Sequence, residues 1–326
     1  MPTARAVDHL AWTVPDLDAA VDFLGEHLGG ACCYRQGPVQ DPVGDWMTRK
    51  LAVHPRAVAH IAMVRLGRLR NLELFGYTAP DQRTTPPAAD DVGAFHLGVH
   101  VQDVAAAADR LAAAGGVRRL GPSFLDTPAG RIKLTTGPEH VSYGVADLDA
   151  TLAFVVEVLG GTPVGAVTTM DTTADPDAQE LGVRPGTVRR VTVRLGPATL
   201  VELVEHRTGG RRVPPRNSDV GGHHLALHVE DVDAAARYLD RQPGVTVLGT
   251  PETVPDGPIA GDRWVYFATP VGLQMEVLHM PDGALPYERD TTARRATVSD
   301  WLAAPDPTNR TPTRPMTQRR MIDALD

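Results

Sequence analysis

Lysine is nearly absent from this chain: only Lys50 and Lys133 occur among its 326 residues. A mechanism built on a Schiff-base lysine therefore has almost no candidates. Cysteine is equally scarce. Cys32 and Cys33 are the whole complement, and because neighbouring cysteines rarely pair, no disulfide framework exists and a reducing cytoplasm is the expected location. Excess positive charge is also lacking. A net charge of −8 argues against nucleic acid or an anionic membrane surface as partner. The opening Met1-Pro2-Thr3-Ala4-Arg5 has no apolar core of signal-peptide length, and no apolar run approaches a membrane span. What remains is 42% hydrophobic and 22% charged, an ordinary composition for a globular protein with a real core. At roughly 100–200 residues per domain, the length predicts about two domains.

One phrase recurs four times: a strand opening with His, then an Asp leading into a helix. It begins at His9, His96, His140 and His224, and its aspartates are Asp16, Asp103, Asp147 and Asp231. Each aspartate is placed to cap the free N–H groups of a first helical turn. The helices are expected over 17–28, 104–114, 148–159 and 232–239, with apolar residues every three or four positions (Leu17, Val21, Leu24, Leu28) and Gly-Gly or Pro-Gly stops. Strand patterns follow each helix, so the unit is β-α-β-β-β. The halves repeat as well, since Arg65-Leu66-Gly67 with Leu72-Glu73-Leu74 parallels Arg194-Leu195-Gly196 with Val201-Glu202-Leu203. The expected fold is α+β, four tandem βαβββ modules paired into two cup-shaped mixed sheets, with halves at 1–137 and 138–282. The second module runs directly into His140 and is expected to lack its last strand. Residues 283–326 lack apolar periodicity and read as a surface arm or a partly disordered tail, with Trp301-Leu302 as a candidate docking point and Arg289, Arg294 and Arg295 as a solvated face.

Strand alternation selects the atoms that can meet. His140, Glu202, His224 and Glu276 fall at corresponding strand positions of the second half. If two modules join into one cup, these two imidazoles and two carboxylates converge on its floor. Such a mixed nitrogen and oxygen set suits one divalent ion of Fe, Ni, Zn, Co or Mn. In the first half the matching residues are His9, Glu73 and His96, with no fourth.

This arrangement resembles the vicinal oxygen chelate superfamily, which includes glyoxalase I, epimerases, bleomycin-resistance proteins and extradiol dioxygenases. Its most specific stretch is Tyr266-Phe267-Ala268-Thr269-Pro270-Val271-Gly272-Leu273-Gln274-Met275-Glu276, similar to the family's closing segment. The resemblance covers residues 6–282 and implies metal-ligand roles for His140, Glu202, His224 and Glu276, with His9, Glu73 and His96 as an incomplete set. The candidate catalytic groups are Glu202, Glu276 and Tyr266, with His228, on the same strand face as His224, as a candidate proton-transfer group. Four ligands on an octahedral ion leave two adjacent positions, enough for a small substrate with neighbouring oxygens, whereas a dioxygenase needs three. Lyase or isomerase chemistry of the glyoxalase or epimerase kind is therefore expected. An Fe(II) extradiol-type dioxygenase is the runner-up, though the histidine its pattern wants shortly before Tyr266 is absent from 255–261. A metal-free drug-binding protein is the third reading. Either a monomer or a homodimer fits.

Other residues have plainer expected roles. His100, His27, His54 and His60 read as structural, His206 as either a site group or a surface residue at a strand end, and Cys32-Cys33 as buried strand filling.

Overall fold

The computed structural model describes residues 6–68, 70–280 and 285–295. The first module contains β1 (Ala6–Thr13), α1 (Leu17–Leu28), β2 (Ala31–Gln40), α2 (Trp46–Leu51), β3 (Val58–Leu66) and β4 (Arg70–Thr78). The second contains β5 (Phe95–His100), α3 (Val104–Ala112), β6 (Arg118–Arg119), β7 (Phe124–Thr127) and β8 (Gly130–Thr135). β9 (His140–Gly144), α4 (Leu148–Ala153), β10 (Thr162–Asp171), α5 (Pro176–Glu180), β11 (Thr187–Leu195) and β12 (Thr199–Arg207) form the third. The fourth has β13 (His223–His228), α6 (Val232–Leu239), β14 (Thr246–Val247), β15 (Glu252–Thr253), β16 (Arg263–Ala268) and β17 (Gln274–His279), followed by α7 (Pro286–Asp290). All four repeat aspartates cap their helices. Asp16, Asp103, Asp147 and Asp231 accept from the amides of Ala19, Ala106, Ala150 and Ala234 at 2.9–3.0 Å. A cap of this kind stabilises a helix by about 1 kcal/mol.

The fold is α+β with two mixed sheets, as the repeats predict. One sheet runs β14-β16-β17-β13-β1-β4-β3-β2, with β15 on β16. The other runs β10-β11-β12-β9-β5-β8-β7-β6. Each sheet takes one module from each half of the sequence: the first unites modules one and four through antiparallel β1 and β13, the second unites modules two and three through β5 and β9. Neither sheet is contained in 1–137 or in 138–282, so the division in sequence is not a division in space. Connector lengths explain the pairing. Residues 136–139 are too few to carry β9 far, at no more than about 3.6 Å per residue, so β9 docks beside β5. The long connectors 79–94 and 208–222 let the outer modules pair with each other.

The expected loss of a strand from module two is corrected as well. β8 pairs in parallel with β5, as β17 pairs with β13, so the module closes fully. Its sequence hid this strand because Arg131 and Lys133 interrupt the apolar pattern. One hydrophobic core joins the sheets and helices, with Leu10, Trp12, Leu24, Leu97, Leu111, Tyr143 and Leu239 all buried in it. His223 bridges the sheets, stacked 4.7 Å from Tyr143. Burial holds its imidazole down to about 4.

Residues 285–295 are not a surface arm. Leu285 and Tyr287 are buried, Glu288 pairs with the fully buried Arg65, and Arg295 pairs with Asp8. Arg289 and Arg294 are exposed as expected, whereas Trp301-Leu302 lies outside the described residues. Cys32 is exposed on β2 rather than packed. Among the described residues no helix is long and apolar enough to cross a membrane.

Candidate active site

A single register rule places the polar groups. In each module the residue two after the repeat histidine is small, and the strand beside it presents the next side chain on the same face. Ala11 lies opposite Glu73, Ala226 opposite Glu276, and Ser142 opposite Glu202. Gly98 lies opposite Lys133. The position that three modules fill with glutamate is therefore present in the second module and carries lysine.

The pairing of modules decides which residues meet. Across β1 and β13, His9 faces Ala226 and Ala11 faces His224, so the imidazoles sit diagonally with Glu73 and Glu276 on either side. His9 Nε2 lies 3.4 Å from His224 Nε2 and 3.3 Å from both Glu73 Oε2 and Glu276 Oε2. His224 Nε2 is 3.7 Å from Glu73 Oε2 and 3.6 Å from Glu276 Oε2. All four side chains are at least nine-tenths buried. His140 and Glu202 are not among them. They lie on the other sheet with His96, the three donor atoms within 4.8 Å of one another. The expected set His140–Glu202–His224–Glu276 is thus split, because β9 pairs with β5 and leaves β13 to β1. His9 and Glu73, read as half of an incomplete set, gain their partners from the fourth module.

The first quartet fits a divalent ion. Adjacent donors held at about 2.1 Å around one tetrahedral or octahedral ion stand roughly 3.0–3.4 Å apart; His9, Glu73 and His224 offer donor atoms within 4.8 Å of one another, and Glu276 Oε2 stands 3.3 Å and 3.6 Å from the two imidazoles. Both imidazoles are also oriented for ligation. His9 Nδ1 is 3.0 Å from Asp8 Oδ2, and His224 Nδ1 is 3.3 Å from Asn217 Oδ1. Each acceptor keeps the proton on Nδ1 and aims the Nε2 lone pair inward. Asp8 is itself held by Arg295. Although burial alone would raise the Asp8 carboxyl, Arg295 and His9 hold it well below the usual carboxylate range. Burial likewise works against Glu276, yet the adjacent His224 and His9 hold its carboxyl below the ordinary value.

The second cluster is different. Lys133 pairs with Asp177, and Arg190 lies 3.7 Å from Glu202 and pairs with Asp175. Burial and the nearby His140, Lys133, Arg131 and Arg190 push His96 well below its ordinary value. These positive groups oppose a cation. Gly98 also has a specific task here, because a Cβ on it would meet the His140 ring at 2.4 Å.

Only the first quartet opens on a sizeable cavity, of about 250 Å³, whose lining includes His9, Glu73, Glu276, Tyr34, Tyr266 and Trp264. The Tyr266 hydroxyl lies 3.1 Å from His224 Nε2, and burial with the two glutamates raises its pKa far above the ordinary value. The Tyr34 hydroxyl is 3.5 Å from Glu73 Oε1. His228 does not line this cavity; it is buried with its ring beside His279. His100 is exposed and contacts the Gly137 carbonyl, while His206 lines the small cavity beside the second cluster. Sequence reasoning missed Asp8, Asn217 and Tyr34. A carboxylate next to the first repeat histidine was the available signal for Asp8.

The profile of the Glyoxalase/Bleomycin resistance protein/Dioxygenase superfamily matches residues 8–120 and 139–267. The chain belongs to that superfamily. A 2-epi-5-epi-valiolone epimerase from Actinomyces sp. is 36% identical over 294 residues, covering 90% of this chain and 89% of the relative. Glyoxalase I from Zea mays superposes with a TM-score of 0.57 at 18% identity, over 85% of this chain and 93% of that one. A putative dioxygenase from Bacillus subtilis gives 0.56 at 14% identity, over 89% of both chains. The last two show a shared fold. The epimerase relative supports an enzyme of this superfamily, whose enzymes act on small molecules.

Proposed function

We propose that the protein is a metal-dependent epimerase acting on 2-epi-5-epi-valiolone or a closely similar ring ketone, with His9, Glu73, His224 and Glu276 holding one divalent ion. The carrying observation is the buried, two-fold-related quartet, of which His9, Glu73 and Glu276 line the cavity and His224 stands directly behind them. The relative's name supports the substrate class. Bound there, a divalent ion supplies Lewis acidity to a carbonyl oxygen and so acidifies the neighbouring C–H. Inverting that carbon requires a proton taken from one face and returned to the other. Glu73 and Glu276 lie on opposite sides of the β1–β13 seam, so an ionised one can accept the proton as the C–H electron pair moves toward the carbonyl, and the other, entering the step protonated, can deliver its proton to the opposite face as that pair returns to carbon, the two exchanging protonation states in each turnover. Tyr266 and Tyr34, bonded to members of the quartet, orient it and donate to substrate oxygen. The apolar walls around Phe75 and Trp264 exclude water during the transfer.

Lyase chemistry has no separate support. The dioxygenase reading is disfavoured because four ligands leave too few positions for a bidentate substrate and dioxygen together. Metal-loaded protein incubated with 2-epi-5-epi-valiolone in D₂O should invert one carbon and place deuterium on it, as read by NMR. Absence of exchange, or turnover that stops without dioxygen, would sink the proposal.

A further inference from the structure

Two buried acceptors in the cavity have no hydrogen-bond partner in the protein: Gln36 Oε1 and Asp262 Oδ1. They come from opposite arms of the cup. Gln36 is on β2, facing Ile61 on β3 and two residues beyond Tyr34. Asp262 immediately precedes β16 and is 6% exposed. Its backbone is fixed by hydrogen bonds from Asp262 N to the Ile259 carbonyl and from Val254 N to its own carbonyl. These bonds hold its Cβ at the cavity wall. Unpaired buried acceptors are costly, and here they face a space lined mainly by Trp46, Ile61, Phe75 and Trp264. An apolar wall interrupted by isolated acceptors suits a carbon ring that carries hydroxyl groups.

We propose that Gln36 and Asp262 are the specificity residues of this cavity, each accepting a hydrogen bond from a hydroxyl of a polyhydroxylated ring whose carbonyl end faces the His–Glu quartet. The assignment rests on the epimerase reading for the carbonyl end only. A ketone without these hydroxyls leaves both groups unpaired, and each such loss weakens binding by about 10- to 100-fold.

The test compares 2-epi-5-epi-valiolone with 2-hydroxycyclohexanone, which keeps the ketone and one neighbouring hydroxyl. Binding to the full-length, metal-loaded protein is followed by tryptophan fluorescence, since Trp46 and Trp264 line the cavity. The wild type should prefer the polyhydroxylated ketone. Gln36→Leu and Asp262→Leu should each reduce that preference at least ten-fold, and Asp262→Asn, of nearly equal shape, should reduce it less. A preference that survives both leucine substitutions, or a wild type without any preference, overturns the proposal. Preferential binding without inversion of the substrate would uphold these two residues and refute the epimerase reading alone.

Discussion

Replacing His9 or His224 with alanine should abolish metal binding, whereas replacing His96 or His140 should not. The two pairs are sequence repeats of each other and differ only in what surrounds them. Around His9 and His224 stand two carboxylates within 3.7 Å; around His96 and His140 stand one carboxylate, Lys133 and Arg190. An ion at 100 times its dissociation constant stabilises the native state by about 2.7 kcal/mol. Unfolding entropy near 2.1 cal/mol/K per residue gives about 0.7 kcal/mol/K for a chain of 326 residues. Adding metal should therefore raise Tm by about 4 °C, and elemental analysis should find one ion per chain. Scanning calorimetry with and without Zn²⁺ or Mn²⁺ reads both the wild type and the variants. His9→Ala and His224→Ala should lose the shift, and His96→Ala and His140→Ala should keep it. If His140→Ala loses the shift while His9→Ala retains it, the assignment of the metal to the seam between modules one and four is refuted.

Glu73→Gln and Glu276→Gln should each lower the rate of epimerisation by about 10²–10⁴-fold, the usual size of a general acid–base contribution, and NMR-detected inversion measures it. Asp8→Asn and Arg295→Ala should weaken metal affinity by about 10- to 100-fold through the His9 orientation, as read by competition with a chelating dye; unchanged affinity in both would refute the Arg295–Asp8–His9 chain. His223 has a folded pKa of about 4 against about 6.5 when unfolded. The unfolded state thus binds the proton first, so stability is complete above pH 7 and declines as pH falls from 6.5 toward 4. The loss is about 3 kcal/mol in total, with about 2 kcal/mol of it by pH 5. Urea midpoints at pH 7.5 and pH 5 should converge by that amount in His223→Phe, and an unaltered pH dependence would count against the buried neutral imidazole.

Much of the site was legible before any tertiary contact was known. The kinds of side chain that cluster, two histidines and two glutamates, follow from strand alternation, which fixes which side chains share a face. Their grouping was not legible. Pairing His140 with His224 followed from treating each half of the sequence as a unit, and nothing local to β9 or β13 records which edge strand will be its neighbour. The strand around Lys133 was missed for a related reason, since a positively charged residue stands where the pattern of the other modules places glutamate. The role of residues 285–295 rests on Tyr287, Glu288 and Arg295 meeting Asn71, Arg65 and Asp8, contacts between segments more than 200 residues apart.

By itself the sequence determined the modules, their helix caps and the inward-facing positions of the repeat histidines and their glutamates, since these depend on the alternation of a strand and the first turn of a helix. Tertiary structure decided which modules share a sheet. The short connector 136–139 commits the middle pair to each other, the first and fourth modules close over the remaining edges, and His9, Glu73, His224 and Glu276 meet only as a consequence.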